Sequence, residues 1–325
     1  PKDSYNCGPE KFMDKMSDFT FTIRNYHPGD FKGYIQLHVE TEQFDRSGRY
    51  ISPRALAECL GRPNYSPERD LFIAETDGKI IGYMNLTPEL GIGRVLLDCL
   101  IHPGYRRKGA AKKLSSRAFQ RAKKLGANII QISIPEANLA ARSLVSNLGF
   151  KFVRRFLELK LDIYNIPLPD VKHGAFVIRE LRSGEEDKLT EIQNRSFVGT
   201  WGFNPNTTEE IVYRTHLSGS SPGDVIMAYE RDKPIGYCWT KVNPEENAAR
   251  GENRGQIHMM GVDPDHQKKG IGKVLLPTGL ASLKGKGMDV VHLTVDSENQ
   301  AARSLYVSFG FEICSITEWY ERAVG

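Results

Sequence analysis

The sequence predicts an α/β fold that occurs twice along the chain. The stretch NLAARSLVSNLGF at residues 138–150 recurs as NQAARSLYVSFGF at residues 299–311. Three further pairs of similar segments are separated by 155, 154 and 161 residues. An offset that changes so little over a whole domain length indicates duplication of a domain and not a short solenoid repeat. Within each half strands alternate with helices, which is typical of an α/β layer fold.

The predicted domain boundary lies in NIPLPDVKHG, residues 165–174, where two prolines and a glycine interrupt the hydrophobic periodicity. We therefore expect a first domain at residues 19–165 and a second at residues 175–325. Residues 1–18 are polar and contain no apolar core segment, so we expect a tail and not a secretory signal.

Each half has the same predicted order of elements. An opening strand is followed by a helical region, where Ser183 with Glu186 and Thr207 with Glu210 have capping-box spacing. A strand pair around a polar turn and a longer apolar strand come next. A basic, glycine-containing loop then opens a helix, and a buried strand and a short helix complete the half.

Composition indicates an ordinary globular protein of two domains. The 325 residues are 40% hydrophobic and 26% charged, with a net charge of +4 that gives no argument for nucleic-acid binding. The five cysteines are scattered without metal-ligand spacing, which fits reduced thiols in a cytoplasm. No apolar run reaches the ~18–20 residues of a membrane span. We expect no bound metal and no membrane partner.

The loop QKKGIG at residues 267–272 carries the most chemical information. It follows a strand and opens a helix, so its backbone N–H groups and the helix N-terminus can bind an anion such as a pyrophosphate. Gly270 and Gly272 allow close approach of a ligand, and Lys268, Lys269 and Lys273 add positive charge. A plain tight turn before a helix is the alternative. The dinucleotide-binding pattern is absent because a third glycine is missing.

The Q-x-x-G-x-G loop and the downstream N-x-x-A-x-x-L-Y-x-x-x-G-F stretch together resemble the GCN5-related N-acetyltransferase (GNAT) superfamily. The tandem layout, with CWTKV before GVDPDHQKKGIG, is similar to the mycothiol synthase family. This resemblance implies two domains, each a mixed, mostly antiparallel sheet flanked by helices, and implies acetyl-CoA as cofactor. The matching residues in the second half are Gln267, Gly270, Gly272, Asn299, Ala302, Leu305, Tyr306, Gly310 and Phe311. The first half matches at Arg106, Gly109, Ala111, Asn138, Ala141, Leu144, Gly149 and Phe150.

The resemblance also implies where acetyl-CoA binds. The pantetheine would run beside a strand end, whose N–H groups would polarise the thioester carbonyl. The first half could still hold acetyl-CoA, because a phosphate loop depends mainly on backbone. The expected contacts of the second half are Met260, Gly261, Val262, Gln267, Lys268, Lys269, Gly270, Ile271, Gly272, Lys273 and Asn299. Those of the first half are Leu100, Ile101, Arg106, Arg107, Lys108, Gly109, Ala110 and Ala111.

Tyr306 stands where the first half has Val145. Acetyl transfer expels a thiolate, and a phenol beside the sulfur can protonate it. The resemblance implies this role for Tyr306, whereas packing of the last helix is the alternative. Since valine cannot donate a proton, we expect the second half to react and the first half to be degenerate.

The general base is less clearly indicated. The resemblance implies a glutamate at the place of Gln256, and glutamine cannot act as a base. His258 lies two residues further along the strand and has a side chain suited to a base or a proton relay. A histidine that is hydrogen-bonded at the sheet surface is the alternative. We expect Val95 and Leu97 at the corresponding places of the first half, and neither residue can titrate.

The acceptor is expected to be a small-molecule amine bound over the helical region of the second half. Phe197, Trp201 and Phe203 lie within seven residues and suggest either an aromatic pocket wall or interface packing. The basic run RRKGAAKK suggests a solvated helix face or a CoA phosphate site. Protein N-terminal or lysine acetylation and non-catalytic binding of acetyl-CoA remain alternatives. We expect a monomer or a weak homodimer.

Overall fold

The computed structural model describes residues 19–45, 51–167 and 176–325. The predicted tail at residues 1–18 and residues 168–174 of the predicted linker lie outside the described residues. In the described part helices alternate with strands in both halves, so the predicted α/β fold is confirmed. The predicted boundary within residues 165–174 stays a prediction.

The described residues of the first half form six strands and five helices. Its strands are β1 (Thr22–Asn25), β2 (Leu71–Thr76), β3 (Lys79–Glu89), β4 (Arg94–Ile101), β5 (Ile129–Pro135) and β6 (Lys151–Asp162). Its helices are α1 (Phe31–Asp45), α2 (Pro53–Leu60), α3 (Pro67–Asp70), α4 (Ala110–Lys124) and α5 (Leu139–Asn147).

The second half repeats this order with one helix placed differently, between its third and fourth strands. Its strands are β7 (Val177–Glu180), β8 (Val225–Glu230), β9 (Lys233–Val242), β10 (Arg254–Val262), β11 (Val290–Asp296) and β12 (Glu312–Ala323). Its helices are α6 (Glu186–Phe197), α7 (Thr208–Thr215), α8 (Pro244–Arg250), α9 (Ile271–Gly285) and α10 (Gln300–Ser308).

Of the two capping boxes that the sequence predicts, one is present in the structure and the other is not. Thr207 and Glu210 form the predicted capping box of α7. The capping box predicted for Ser183 and Glu186 is wrong, because the N-cap of α6 is Glu185 and the Glu186 carboxylate instead accepts from the N–H of Gly184 at 2.8 Å. A carboxylate at this first turn still complements the helix dipole.

The described strands form one continuous sheet, in which the two halves exchange their last strands. The order is β1-β2-β3-β4-β5-β12-β6-β11-β10-β9-β8-β7. Strand β12, at the end of the second half, pairs antiparallel with β5, and β6, from the first half, pairs antiparallel with β11. Neither closing strand was predicted from the sequence.

Packing explains the exchange. Leu157, Leu159 and Leu161, which alternate along β6, are buried in the core formed by α9, α10 and the sheet of the second half. Tyr320 of β12 is buried in the corresponding core of the first half, beside α4 and α5. Because alternate residues of a strand face one side, each exchanged strand completes the apolar layer of the other half.

Two smaller cores lie on the opposite face of the sheet. One joins α6 and α7 to β8 and β9, with Trp239 and Tyr237 almost fully buried in it. The other joins α1 and α2 to β2 and β3. The two halves meet on this face, where the Tyr213 hydroxyl of α7 donates to the carbonyl of Glu58 in α2. The space left between them is the candidate site.

Candidate active site

A gap between two parallel strands marks the centre of the second half. Strands β10 and β11 pair only from Arg254 to Ile257, after which they diverge. The edge of β10 that faces β11 is therefore unpaired over residues 258–262. Backbone N–H groups on such an edge can bind an extended ligand. Strands β4 and β5 of the first half also pair over only four residues, from Arg94 to Leu97.

His258 is the extra residue of a β-bulge in β10. Ile257 pairs with Thr240 and Met259 pairs with Trp239, so His258 has no partner on β9. The pairing of β3 with β4 contains no such shift. A bulge re-aims a side chain and commonly lies next to an active site.

The bulge corrects the alignment of the two halves. In the parallel register Gln256 pairs with His292, and the residue that occupies this place in the first half, opposite Gln131, is Leu96. The assignment of Val95 and Leu97 as counterparts of Gln256 and His258 is therefore wrong. His258 has no counterpart in β4, because the sequence comparison could not detect a one-residue insertion.

The imidazole of His258 lines the cavity between the halves and is exposed there, while the rest of its surroundings is protein. Its ring packs edge-on against Trp239. Loss of solvation and, to a smaller extent, the nearby charges of Lys241 and Arg214 together lower the pKa of His258 from 6.5 to about 4. The ring is thus neutral at pH 7 and able to accept a proton.

Tyr306 reaches the same cavity from α10. It is only 6% exposed, and its ring contacts Phe311 with centroids 5.8 Å apart. Among the described residues its hydroxyl has no hydrogen-bond partner. Burial raises the pKa of Tyr306, so the phenol keeps its proton at neutral pH. Val145, at the same place in α5, is buried in the core of the first half.

The basic loop has the same backbone in both halves. Lys268 and Gly270 have left-handed φ values of 62° and 86°, and Arg107 and Gly109 have 61° and 86°. Gly270 and Gly109 are the N-cap residues of α9 and α4. This conformation points successive N–H groups at one place, which suits a phosphate group.

The side chains around the two loops differ. Lys268, Lys269 and Lys273 are exposed and make no ion pair within the described chain. In the first half the guanidinium of Arg106 is bound to Asp45 and to the carbonyl of Ile101. Lys108 lies over the Phe19 ring at 4.4 Å. The loop of the second half therefore has more positive charge that is not already in contact with another side chain of the protein.

Several expected cofactor contacts also have structural roles. Ile271 and Ala110 are buried at the first turns of α9 and α4, so they offer a ligand only their backbone. The Asn299 side chain accepts from the N–H of Ala302 at 3.1 Å and caps α10. Leu100 packs against the smaller core of the first half and Ile101 against its larger one.

A cavity of about 870 Å³ lies between the halves and is lined by His258, by Tyr306 and, of the basic loop, by Gln267, whereas residues 268–273 are not among its lining residues. It is large enough for an acceptor together with part of a cofactor. The expected site residues that line it are His258, Met260, Gly261, Val262, Gln267, Asn299, Tyr306, Trp201 and Phe203. Gln256 is not among its lining residues.

The aromatic residues at 197–203 both line the cavity and pack between elements of the two halves, so both interpretations of this segment apply. Phe197 and Phe203 stack with centroids 5.7 Å apart and line the cavity. Trp201 also lines it, while packing against Trp319 of β12 and Phe156 of β6. The aromatic wall is therefore held in place by the two exchanged strands.

No pattern in the sequence indicates that the first half also lines this cavity. Arg62, Tyr65, Thr87 and Glu89 contribute from the segments around α2, α3 and β3. Arg94 of β4 also donates to the carbonyl of Gly202, at 2.6 Å. These residues are distant along the chain, so only the packing of the halves brings them together.

Polar side chains without partners also face this region. The Gln193 Oε1 and the Ser196 Oγ atoms are buried and make no hydrogen bond in the described structure. Both residues lie on α6 and line the cavity. Since buried polar atoms are normally paired, they mark places where a ligand can bind.

One group of side chains has the composition of a metal site. The ligand atoms of Glu158, His292 and Cys314 lie within 4.8 Å of one another. The Glu158 carboxylate is however already bound by His292 and by Arg254, at 3.0 and 2.9 Å. These contacts lower its pKa to about 2, with the His292 hydrogen bond as the largest cause. A divalent cation would have to compete with the Arg254 charge.

Comparison with known proteins identifies the class. The model of the Acetyltransferase (GNAT) family matches residues 20–150 and 187–311. The chain belongs to this family and is an N-acetyltransferase with two tandem domains, as the motifs predicted. No helix in the described part of the chain is long and apolar enough to cross a membrane.

Two proteins of related sequence are mycothiol acetyltransferases. The mycothiol acetyltransferase of Amycolatopsis mediterranei is 27% identical over 270 residues, which cover 79% of this chain and 88% of that protein. The mycothiol acetyltransferase of Thermomonospora curvata is 29% identical over 252 residues, covering 75% and 80%.

Solved structures agree on the fold. A GCN5-related N-acetyltransferase from Sphaerobacter thermophilus has a TM-score of 0.72 at 18% identity and covers 94% of this chain and 96% of its own. A tandem GNAT protein from the clavulanic acid biosynthesis pathway has a TM-score of 0.70 at 15% identity, covering 94% and 99%.

Proposed function

We propose that the protein transfers the acetyl group of acetyl-CoA to a primary amine of a small molecule, and that the chemistry takes place in the second half. The observation that carries this proposal is that one cavity holds both a neutral histidine on a strand bulge and a tyrosine whose hydroxyl is free. The GNAT family, to which the chain belongs, and its mycothiol acetyltransferase relatives support the acetyl donor.

The residues around the loop fit acetyl-CoA. Gly270 has a left-handed backbone, and a Cβ atom added there would meet nothing within 4 Å, so the loop is open to a phosphate group. Lys268, Lys269 and Lys273 would supply positive charge, and Met260 to Val262 would supply backbone N–H groups to the pantetheine and the thioester carbonyl. When bound, acetyl-CoA supplies the activated acyl group.

His258 and Tyr306 would carry out the two proton transfers of the reaction. An amine is mostly protonated at neutral pH, and His258 would accept the proton that the amine must lose before attack. Tyr306 would donate its phenol proton to the departing thiolate. Gln256 is not proposed for either step, since it does not line the cavity.

The first half would support the reaction without performing it. It lacks the bulge and has Val145 in place of the tyrosine. Because its loop has the same backbone conformation as the loop of the second half, the first half could also hold acetyl-CoA. The guanidinium of Arg106 in this loop is already bound to Asp45. We place the domains at residues 19–165 and 175–325, with β6 and β12 exchanged between them.

The position of the cavity supports a small acceptor. Both halves form its walls, and Trp201 and Phe203 are among the residues that line it. A flexible protein segment would need an open surface groove. The alternative of a non-catalytic acetyl-CoA-binding protein predicts binding without turnover.

The experiment is a thiol-release assay with purified protein, acetyl-CoA and a panel of amines. The panel includes cysteinyl amino-sugars, simple amines and a peptide with a free N-terminus. We expect CoA release that depends on a small amine and on Tyr306. Calorimetric binding of acetyl-CoA without release by any amine would support the non-catalytic alternative, and a preference for the peptide would support protein acetylation.

A further inference from the structure

Two arginines of the cavity have no carboxylate partner. Arg62 follows α2 in the first half, and Arg214 lies on α7 in the second half; both line the cavity. Within the described chain neither forms an ion pair, although the third arginine among the lining residues does. This residue, Arg154, is bound to Glu298 and lies 3.9 Å from Asp296.

Arg62 is held in position while part of its guanidinium stays available. Its Nη1 donates to the carbonyl of Cys59 at 2.9 Å, and its Nη2 donates to Thr87 Oγ1 at 2.8 Å. The guanidinium carbon lies 3.6 Å from the centre of the Tyr65 ring. A guanidinium has five N–H donors, so several remain free for a ligand. Stacking and two hydrogen bonds orient the group before a ligand arrives.

The acidic residues of the cavity are already engaged. Glu89 accepts from Arg94 at 2.6 Å, and Glu210 accepts from the N–H of Thr207 at 2.9 Å in the capping box of α7. Asp296 and Glu298 face Arg154. Glu210 accepts only from neutral groups and keeps its charge, so among the described lining residues two arginines without an ion pair face one such carboxylate. The excess charge is therefore positive, and Lys241, which acts electrostatically on His258, adds to it.

We propose that the acceptor amine also carries an anionic group, a carboxylate or a phosphate, and that Arg62 and Arg214 bind it from the two halves. This inference rests on the proposed acetyl transfer to a small amine, whose specificity it defines. A planar guanidinium recognises either group with two parallel hydrogen bonds. The amine would then be directed to His258. The positive charges near His258 favour the neutral form of its imidazole, which is the form that can accept a proton.

The test compares amines in matched pairs, with and without the anionic group. β-Alanine is compared with β-alaninamide, glycine with glycinamide, and phosphoethanolamine with ethanolamine. We expect kcat/KM to be at least tenfold higher for the anionic member of a carboxylate or phosphate pair, and the two kinds of pair distinguish the anions. Arg62→Gln and Arg214→Gln should each remove about 10- to 100-fold of this preference, the worth of one charged hydrogen bond. Arg182→Gln, an exposed change outside the cavity, is the control and should leave it unchanged.

A second measurement does not depend on turnover. With CoA saturating, the N-acetylated products of the same pairs are titrated by calorimetry into wild type and both arginine variants. We expect the anionic products to bind more tightly, and the difference to shrink by the same 10- to 100-fold in the variants. Acetyl-CoA affinity should not change, which separates this anion site from the loop at residues 267–273.

The outcomes separate the two proposals. If amines are acetylated with equal kcat/KM in both members of every pair, the anionic acceptor is wrong and the proposed function stands. If no amine turns over but anionic products still bind in an arginine-dependent way, the anion site stands and the proposed function fails. Equal binding of both product types to wild type would also overturn the anion site.

Discussion

The indole of Trp239 meets the imidazole of His258 edge-on, with ring centroids 5.1 Å apart and ring planes at 83°. Trp239 is 1% exposed, so this contact fixes one side of the imidazole against the core of the second half. The other side opens into the cavity. The bulge thus gives His258 both the low solvation that lowers its pKa and the access that a base requires.

The first prediction concerns the pH dependence of activity. If His258 accepts the amine proton, the acidic limb of kcat/KM should lie near pH 4, not near 6.5, because burial lowers its pKa to about 4. His258→Ala should remove that limb. A pH–rate series on both proteins with one amine measures this, and an unchanged limb in the variant would assign the proton to another acceptor.

A second prediction concerns the pH dependence of stability. Between pH 6.5 and pH 4 the unfolded chain protonates His258 while the folded protein does not, so this residue disfavours folding as the pH falls through that window. His258→Ala should therefore lose less melting temperature than wild type between pH 7 and pH 4.5. Equal losses in calorimetric scans would contradict the lowered pKa.

The third prediction concerns the proton donor. Tyr306→Phe keeps the ring contact with Phe311 and removes only a hydroxyl without a protein partner, so stability should change little. The kcat value should fall by about 10²- to 10⁴-fold, the usual worth of general acid catalysis, if chemistry limits turnover. Steady-state kinetics with melting curves as control decide this. Full kcat in the variant would leave Tyr306 a packing residue.

The fourth prediction uses the two equivalent loops as mutual controls. Gly270→Glu introduces a side chain at a φ of 86°, together with a negative charge in the anion site. It should abolish activity and weaken acetyl-CoA binding to the second half. Gly109→Glu has the same strain in the first half and should largely preserve turnover. Near-complete loss of activity in a folded Gly109→Glu protein would show that the first loop is needed.

The fifth prediction concerns the aromatic wall. Trp201 and Trp319 contact each other with centroids 5.8 Å apart, and of the two only Trp201 is among the residues that line the cavity. Trp201→Leu should raise the KM for the acceptor about tenfold, whereas Trp319→Leu should affect mainly stability. Acetyl-CoA affinity is the control in both cases. An equal rise in acceptor KM for both variants would mean that the tryptophans act only through packing.

Much of the second-half site could be predicted from residue pattern. The loop needs glycine at a left-handed position, and a short local motif records that need directly. The difference between Tyr306 and Val145 also indicated which half places a phenol in the cavity. The bulge was missed because it inserts one residue without a turn signal, which shifted the alignment to Val95 and Leu97. The two closing strands were missed because the repeat motif ends before them.

The sequence by itself determined the duplicated α/β organisation, the two basic, glycine-containing loops and the chemical difference between Tyr306 and Val145. All of these depend on contacts within short segments, where backbone conformation and residue type are closely linked. Only the tertiary structure decided which strands close each half, since the partners of β6 and β12 lie in the other half of the chain. It also decided that Arg62 and Arg214 line one cavity. Such long-range contacts form when apolar faces from both halves are buried together, and no local pattern encodes which faces meet.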